Sequence, residues 1–421
     1  MKPWQPLKEY DPEIYSCIEQ ELTRQSEGLE LIASENFASP EVISSMGNIM
    51  NNKYAEGRPN KRYYGGCEFV DKAENIAIER VCKLFNCGYA NVQPHSGAQA
   101  NAAVLLALAK PGSKILGLDL SNGGHLTHGS PVNFSGIYYE AHSYDLCLKT
   151  ERLDYDAILK QALEVKPSVI IAGASAYPRA VDFSKFREIA DAVGAYLVSD
   201  VSHIAGLIIA GLHQSPFPHS HVVTSTTHKT FRGPRGGVIL WSDKKLSASL
   251  NKGVFPGTQG GPLEHIIASK AVAFKEASTE EFRTYQKNIL DNTAALGEEL
   301  RNLGFKLVSG GSDNHLLLID LTKSHPETTG KEAENALEAA SITVNKNTIP
   351  GEKRSPFVTS GIRVGSPALT SRGMGVEEMK KIASFIKEAI DYPGNESHLL
   401  KLKEKVKALA LAFPLYPDWT A

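Results

Sequence analysis

Three polar stretches, each following an apolar run, carry residue types that could act together on a small phosphorylated ring compound. In PHSGAQAN, Ser96 and Gly97 open a helix-like run. Backbone N–H groups at a helix N-terminus, with a hydroxyl beside them, suit a phosphate. Taken alone, such a turn is more often structural. In AYLVSDVSH, Asp200 ends an apolar run and His203 follows it by three residues. A carboxylate there can pair with a protonated ring nitrogen, because opposite charge favours the protonated form. Capping the next turn is an equal reading. In VVTSTTHKTFRGPRGG, Lys229 follows a Thr-rich run and precedes a Gly- and Arg-rich turn. A lysine so placed can form an imine with a carbonyl carbon once it is deprotonated, which burial and nearby cations favour; His228, Arg232 and Arg235 could supply part of that setting. A lone lysine is ordinarily a solvated charge, and its polar, glycine-rich setting after the other two features turns the reading toward chemistry.

Such residues need a scaffold that gathers strand ends. Alternating elements run through the middle of the chain: strands at YANVQ, KILGLDL, SVIIAG, AYLVSD, VVTST and GVILW, with helices over 98–108, 155–165 and 183–192. This is the βαβ pattern of a mostly parallel sheet covered by helices, which binds ligands beyond its strand ends. Asp11-Pro12 predicts a helix start, and 31–67 shows little period. A helical stretch over 263–301, broken near Thr279, leads into a smaller α+β region with strands at KLVSGG, HLLLIDL, ITVNKN and GIRVG and helices over 331–340, 377–391 and 396–411. The expected division is 1–85 as an N-terminal helix and active-site segment, 86–280 as the large domain and 281–421 as the small one. Phosphate turn, acidic strand end and lysine, in that order, suit a pyridoxal-phosphate (PLP) enzyme of the aspartate-aminotransferase fold type.

Bulk properties narrow the class. A formal net charge of −2 over 421 residues, with no long basic block, argues against nucleic acid or a membrane surface as the main partner. Five irregularly spaced cysteines predict neither a disulfide framework nor a zinc site, so no metal is expected. The N-terminal MKPWQPLKEYDPEI lacks the apolar run of a signal peptide, and the default expectation is a cytoplasmic protein.

Eleven blocks resemble the serine hydroxymethyltransferase family in family order, too many for chance: LIASEN, NKYAEGRPNKRYYGGCEFVD, ANVQPHSGAQANAAV, GGHLTHG, VNFSG, SDVSHIAGLI, TTHKTFRGPRGG, FPGTQGGPLEH, GGSDNHL, ITVNKNTIP and SPFVTSGIRVGSPALTSRG. The resemblance implies the PLP-dependent transferase fold type I, a seven-stranded, mostly parallel sheet flanked by helices with a smaller C-terminal α+β domain. It implies transfer of the serine hydroxymethyl carbon to tetrahydrofolate, giving glycine and 5,10-methylenetetrahydrofolate. Lys229 would carry PLP covalently, Asp200 pair with its ring nitrogen, and His203 lie at its hydroxyl side. His125 would stack on the ring; Ser96, Gly97 and Ser175 would be further cofactor contacts. Arg363 would clamp the substrate carboxylate with help from Ser34, and His228 would tune specificity. In this family two subunits share each site, so Tyr54, Glu56, Tyr64, Gly260 and Gly261 would come from a second copy of the chain, with Glu56 moving the proton. A homodimer is expected and a tetramer possible. Leu120, Gly124, His125, Leu126, Asn347, Ser355, Pro356 and Phe357 would line the folate site.

Two positions depart from the family pattern. Ala98 stands where a serine is common, and Ser202 where alanine is usual. Both bear on cofactor affinity more than on activity. The competing readings are a folate-independent aldolase for β-hydroxy amino acids and a non-catalytic PLP-binding regulator; YAEGRPNKRYYGG and VNKNTIP favour the transferase over the first, and intact Lys229, Asp200, Arg363 and Glu56 speak against the second.

Overall fold

The computed structural model describes residues 2–419. The chain divides into two compact units: Glu41–Gln286, and the chain up to Pro40 joined with Lys287 onward.

The central unit is built on seven strands: β1 (Tyr89–Asn91), β2 (Lys114–Leu118), β3 (Glu140–Tyr144), β4 (Val169–Gly173), β5 (Tyr196–Asp200), β6 (Val222–Thr226) and β7 (Gly237–Trp241). They lie in the order β1-β7-β6-β5-β4-β2-β3. Pairing is parallel from β6 through β5, β4 and β2 to β3; β7 runs antiparallel to both neighbours, which leaves β1 pointing the same way as the rest. All residues of β4, β6 and β7 are buried, as strands covered on both faces should be, and in β6 these include the polar Thr224, Ser225 and Thr226. Val104, Ile115, Ile171, Val198, Val222, Ile239 and Trp241 belong to one core beneath the helix Gly97–Leu108.

Side-chain caps set the helix starts. Asp154, Asp182 and Ser96 each accept a backbone N–H from the first turn of the helix they precede. Among the elements that escape the sequence pattern, two are instructive. The helix Glu68–Phe85 buries Val70, Glu74, Ala77, Val81 and Phe85, so a carboxylate interrupts its apolar stripe. Glu74 is tolerated because Arg62 (2.7 Å) and Gln93 (2.9 Å) bind it. β3 is an edge strand of sequence EAHSY, whose polar face carries no strand period.

The second unit holds a four-stranded sheet, β8 (Lys306–Leu307), β9 (Leu316–Asp320), β10 (Asn345–Asn347) and β11 (Gly361–Gly365), in the antiparallel order β8-β9-β11-β10. Leu317, Ile319, Ile362, Met379, Ile386 and Leu402 pack in its core with Leu29 and Leu31.

The first 40 residues therefore fold with the C-terminal part, which differs from three consecutive segments. Arg372 gives the physical reason. Its guanidinium donates to the carbonyls of Gln25 (3.1 Å), Ser26 (2.8 Å), Gly28 (2.9 Å), Ala410 (2.6 Å) and Phe413 (3.0 Å). One planar fork thus satisfies the C-terminal carbonyls of the helices Pro12–Glu27 and Glu396–Leu411, where cations are favoured. Arg372→Met removes these five hydrogen bonds and should destabilise this unit by roughly 3 kcal/mol. Urea denaturation, with proteolytic release of the first 40 residues as a second readout, measures the loss.

Candidate active site

Because β1, β2, β4, β5 and β6 point the same way, the segments that leave their carboxyl ends gather at one sheet edge. β1 leads to Ser96 and Gly97, β2 to Leu120–Leu126, β4 to Ser175, β5 to Asp200 and His203, and β6 to His228 and Lys229.

The β6–β7 connection is closed by the antiparallel register Thr226 opposite Gly237, and Thr227 N–H donates to Gly236 O at 3.1 Å. Lys229 therefore sits in a short loop clamped at both ends. Its Nζ donates to Thr226 Oγ1 at 3.1 Å. The next residue braces the loop from below: Thr230 Oγ1 donates to His203 O at 2.9 Å, and Gln286 donates to Thr230 O at 2.7 Å.

Asp200 is the electrostatic centre. Its side chain is 9% exposed, and it accepts four hydrogen bonds. Oδ2 receives His128 Nε2 (3.0 Å) and Asn101 Nδ2 (2.8 Å); Oδ1 receives the Ser202 hydroxyl (2.6 Å) and the Ser202 backbone N–H (3.1 Å). Burial works against the charge, but the hydrogen bonds from His128 and Ser202 outweigh it, holding the carboxyl well below the usual carboxylate range. A carboxylate kept ionised in so dry a place suits a cationic ring nitrogen.

His125 caps a short 3₁₀ turn. Its Nδ1 meets the Thr127 hydroxyl (2.8 Å) and the Thr127 N–H (3.2 Å), while Thr127 Oγ1 accepts from Asn101 (2.8 Å). Two donors at Nδ1 assign the ring proton to Nε2 and suit a neutral imidazole. Burial pushes the ring down to about 4, against the pull of the Asp200 charge. His228 is pushed down to about 3, by burial first and then by Lys229 and Arg235. Its buried Nδ1 has no hydrogen-bond partner among the described residues.

Ser96 N-caps the helix Gly97–Leu108 by accepting Gln99 N–H at 3.1 Å, which leaves its own O–H to donate. Gly97 must be glycine: a Cβ there would lie 2.7 Å from Thr226 Cγ2. The turn is anchored from within. Lys270, buried and pushed down to about 7 by desolvation, donates to Val92 O (2.7 Å), Pro94 O (3.0 Å) and Gly237 O (2.9 Å). Three carbonyl acceptors call for all three N–H bonds of the ammonium. Ser175 N–H donates to Gly123 O at 2.8 Å, joining the β4 end to the GGH turn.

A capped helix N-terminus, an ionised buried carboxylate, a neutral imidazole and a lysine at one sheet edge form a donor set that fits PLP. The orphaned His228 nitrogen beside Lys229 supplies a further polar atom that a bound ligand can satisfy.

The sequence profile of the serine hydroxymethyltransferase family matches residues 7–386. A serine hydroxymethyltransferase of Nostoc punctiforme is 56% identical over 411 residues, covering 98% of this chain and 96% of that protein. One of Methanospirillum hungatei is 58% identical over 414 residues, covering 98% and 99%. The chain belongs to the serine hydroxymethyltransferase family. The family is PLP-dependent, with fold type I and tetrahydrofolate as cosubstrate, and the seven-stranded sheet described above has that architecture.

The remaining residues anticipated from the family resemblance fall in separate clusters. Tyr54, Glu56, Tyr64, Gly260 and Gly261 form a second group in the central unit. Tyr54 and Tyr64 meet edge to face at 5.2 Å, the Tyr54 hydroxyl donates to Glu56 Oε1 at 3.3 Å, and the Glu56 charge raises the Tyr54 phenol. A Cβ on Gly260 would lie 3.4 Å from Glu56 Oε1, and one on Gly261 3.5 Å from the Tyr54 ring. Both tyrosines are about half exposed, at 57% and 49%. Leu120 and Leu126 are exposed around the buried Gly124.

Arg363 and Ser34 lie in the other unit. Arg363 is buried on β11, donates Nε to Asn345 Oδ1 at 3.0 Å, and is pushed down to about 10 by desolvation. Gly365, two residues on, packs so closely that a Cβ would meet Ala33 Cα at 2.7 Å, which sets Ser34 beside the same strand end. Asn347 ends β10 opposite Gly361, while Ser355, Pro356 and Phe357 are exposed.

Sequence reasoning missed His128, Asn101 and Lys270. His128 lay inside GGHLTHG without a role. Asn101 carried the clearest unused signal, a polar residue one turn into an alanine-rich helix.

In the folded chain His125 stays neutral until about pH 4, whereas the unfolded imidazole takes a proton near its ordinary 6.5. Between those values the unfolded state binds more protons, so stability falls as pH drops from 6.5 to 4, by roughly 3 kcal/mol for this ring. Urea denaturation of cofactor-free protein at pH 7 and pH 4.5 measures the decline, and His125→Phe should show a smaller one.

Proposed function

We propose that this chain interconverts serine and glycine by moving the serine hydroxymethyl carbon to and from tetrahydrofolate, with PLP held on Lys229. The observation that carries the reading is the convergence of Lys229, the ionised Asp200 and the Ser96–Gly97 helix N-terminus at one sheet edge, within a chain matched along nearly its whole length by the family.

Bound PLP supplies an electron sink for the pair left when the Cα–Cβ bond breaks. The protein supplies charge, orientation and proton control. Asp200 keeps the ring nitrogen protonated. His125 presents a flat neutral face for stacking, and His203 the contact at the ring hydroxyl. Ser96 and Gly97 hold the phosphate, and Ser175 is a further cofactor contact. Arg363, whose fork fits two carboxylate oxygens, would hold the amino-acid carboxylate with Ser34 and so orient the substrate about its Cα. His228 tunes substrate choice. Glu56 moves the proton of the serine hydroxyl. Leu120, Gly124, His125, Leu126, Asn347, Ser355, Pro356 and Phe357 receive the folate.

The exposure of Tyr54 and Tyr64, and their separate cluster with Glu56, Gly260 and Gly261, support a homodimer in which these residues serve the partner's Lys229. The working location is the cytoplasm; among the described residues no helix is long and apolar enough to cross a membrane.

Serine cleavage measured with and without tetrahydrofolate tests the reading. A strong dependence on folate is expected; a rate indifferent to it would favour the folate-independent aldolase. Lys229→Gln should abolish turnover. Glu56→Gln should lower the folate-dependent kcat by about 100-fold or more while PLP content stays normal. Coexpressing these two inactive variants should restore about a quarter of wild-type activity, since half the dimers are mixed and each carries one intact site. No restoration would show that each chain completes its own site.

A further inference from the structure

Ser202 stands where alanine is usual in the family, and its hydroxyl reaches beyond the Asp200 bond already described. Its hydroxyl is buried between three features of the PLP site. It donates to Asp200 Oδ1 at 2.6 Å. Ser202 Oγ also accepts the Thr226 backbone N–H at 3.0 Å. Thr226 in turn receives Lys229 Nζ on its own hydroxyl at 3.1 Å. A Cβ placed on Gly97 would lie 3.7 Å from Ser202 Oγ, so the phosphate turn passes directly over it. The direction of each bond is determined: an ionised carboxylate only accepts and a backbone N–H only donates. The Ser202 proton therefore points at Asp200 and cannot rotate away without leaving a buried group unpaired.

We propose that Ser202 is a positioning residue for the cofactor ring nitrogen, fixing the plane of the Asp200 carboxylate and tying it to the strand end that carries Lys229. Two donors from one residue, hydroxyl and N–H, converge on Oδ1, while His128 and Asn101 converge on Oδ2. Each carboxylate oxygen is thus held from a different side, and the plane cannot turn. Alanine at 202 would keep the N–H, lose the hydroxyl and leave Thr226 N–H without this acceptor. The carboxylate could then tilt about its remaining bonds, and a ring nitrogen that needs it in one plane would bind less well. The hydroxyl also shares the Asp200 charge, as the direction of its acidity shift indicates. The proposal rests on the PLP reading of the site and adds to it a residue that acts through Asp200.

The test compares two ligands on the cofactor-free protein: PLP, and its 1-deaza analogue, in which carbon replaces the ring nitrogen. Ser202→Ala is expected to bind PLP about tenfold more weakly, the loss of one hydrogen bond to a charged group, and to bind the deaza analogue within about twofold of wild type. Ser202→Thr, which keeps the hydroxyl, should restore PLP affinity. Urea midpoints of the cofactor-free variants separate a folding defect from a loss of positioning. Equal weakening toward both ligands would overturn the proposal, because the defect would then not pass through the ring nitrogen. Unchanged PLP affinity in Ser202→Ala would overturn it as well. A wild-type protein that takes up neither ligand would overturn the cofactor reading itself, and the proposal with it.

Discussion

A buried, ionised carboxylate is the constraint around which the central unit is arranged. Asp200 would be costly to bury as a lone charge, and it stays charged because four donors from three separate segments converge on it. Those donors come from the helix after β1, the turn after β2 and the turn after β5. Placing the acid therefore places the Ser96–Gly97 turn and His125. The connection works through Asn101, whose amide donates to Asp200 and Thr127 and accepts from Thr224 at 2.7 Å. Every polar atom of that side chain has a partner, which is what gives a buried amide one orientation.

The lysine is positioned by a different device. β7 reverses direction in an otherwise parallel sheet, so the β6–β7 connection is a closed loop rather than a helical crossover. A loop clamped by ladder bonds at both ends holds a side chain more tightly than a long connection would. Lys270 reinforces the arrangement by joining carbonyls next to β1 with one at the start of β7, the two strands that flank the phosphate turn. Arg372 does the corresponding work in the other unit, where one guanidinium gathers carbonyls from two helix ends. In each unit a buried cation draws together backbone carbonyls from separate segments.

Much of the fold was legible because its elements obey local rules. The helices at 155–165 and 396–411 and the strands VVTST and GVILW fall at their expected positions, since apolar runs and Asp or Asn caps mark their ends. The helix Glu68–Phe85 was not legible, because its inward stripe contains Glu74, whose burial depends on Arg62 and Gln93. The edge strand β3 was missed because half its pattern faces water. Lys229, Asp200 and Ser96 stood out by sitting just beyond apolar strands. His128, Asn101 and Lys270 did not, because a histidine in a turn, an asparagine in a helix and a lysine near a helix centre look ordinary until their partners are known.

What the residues alone determined was the set of reactive groups and their order, a glycine-bearing turn, an acid at a strand end and then a lysine, and the family that eleven ordered blocks identify. These follow from side-chain type and from order along the chain. What only the tertiary structure decided was the environment of each group. Asp200 is ionised and His125 neutral because burial and specific donors act on them in three dimensions. The first 40 residues join the C-terminal unit because Arg372 meets them there, far along the chain. Hydrogen bonds between residues tens or hundreds of positions apart leave no local period in a sequence, so their consequences for charge and orientation become visible only once the chain has folded.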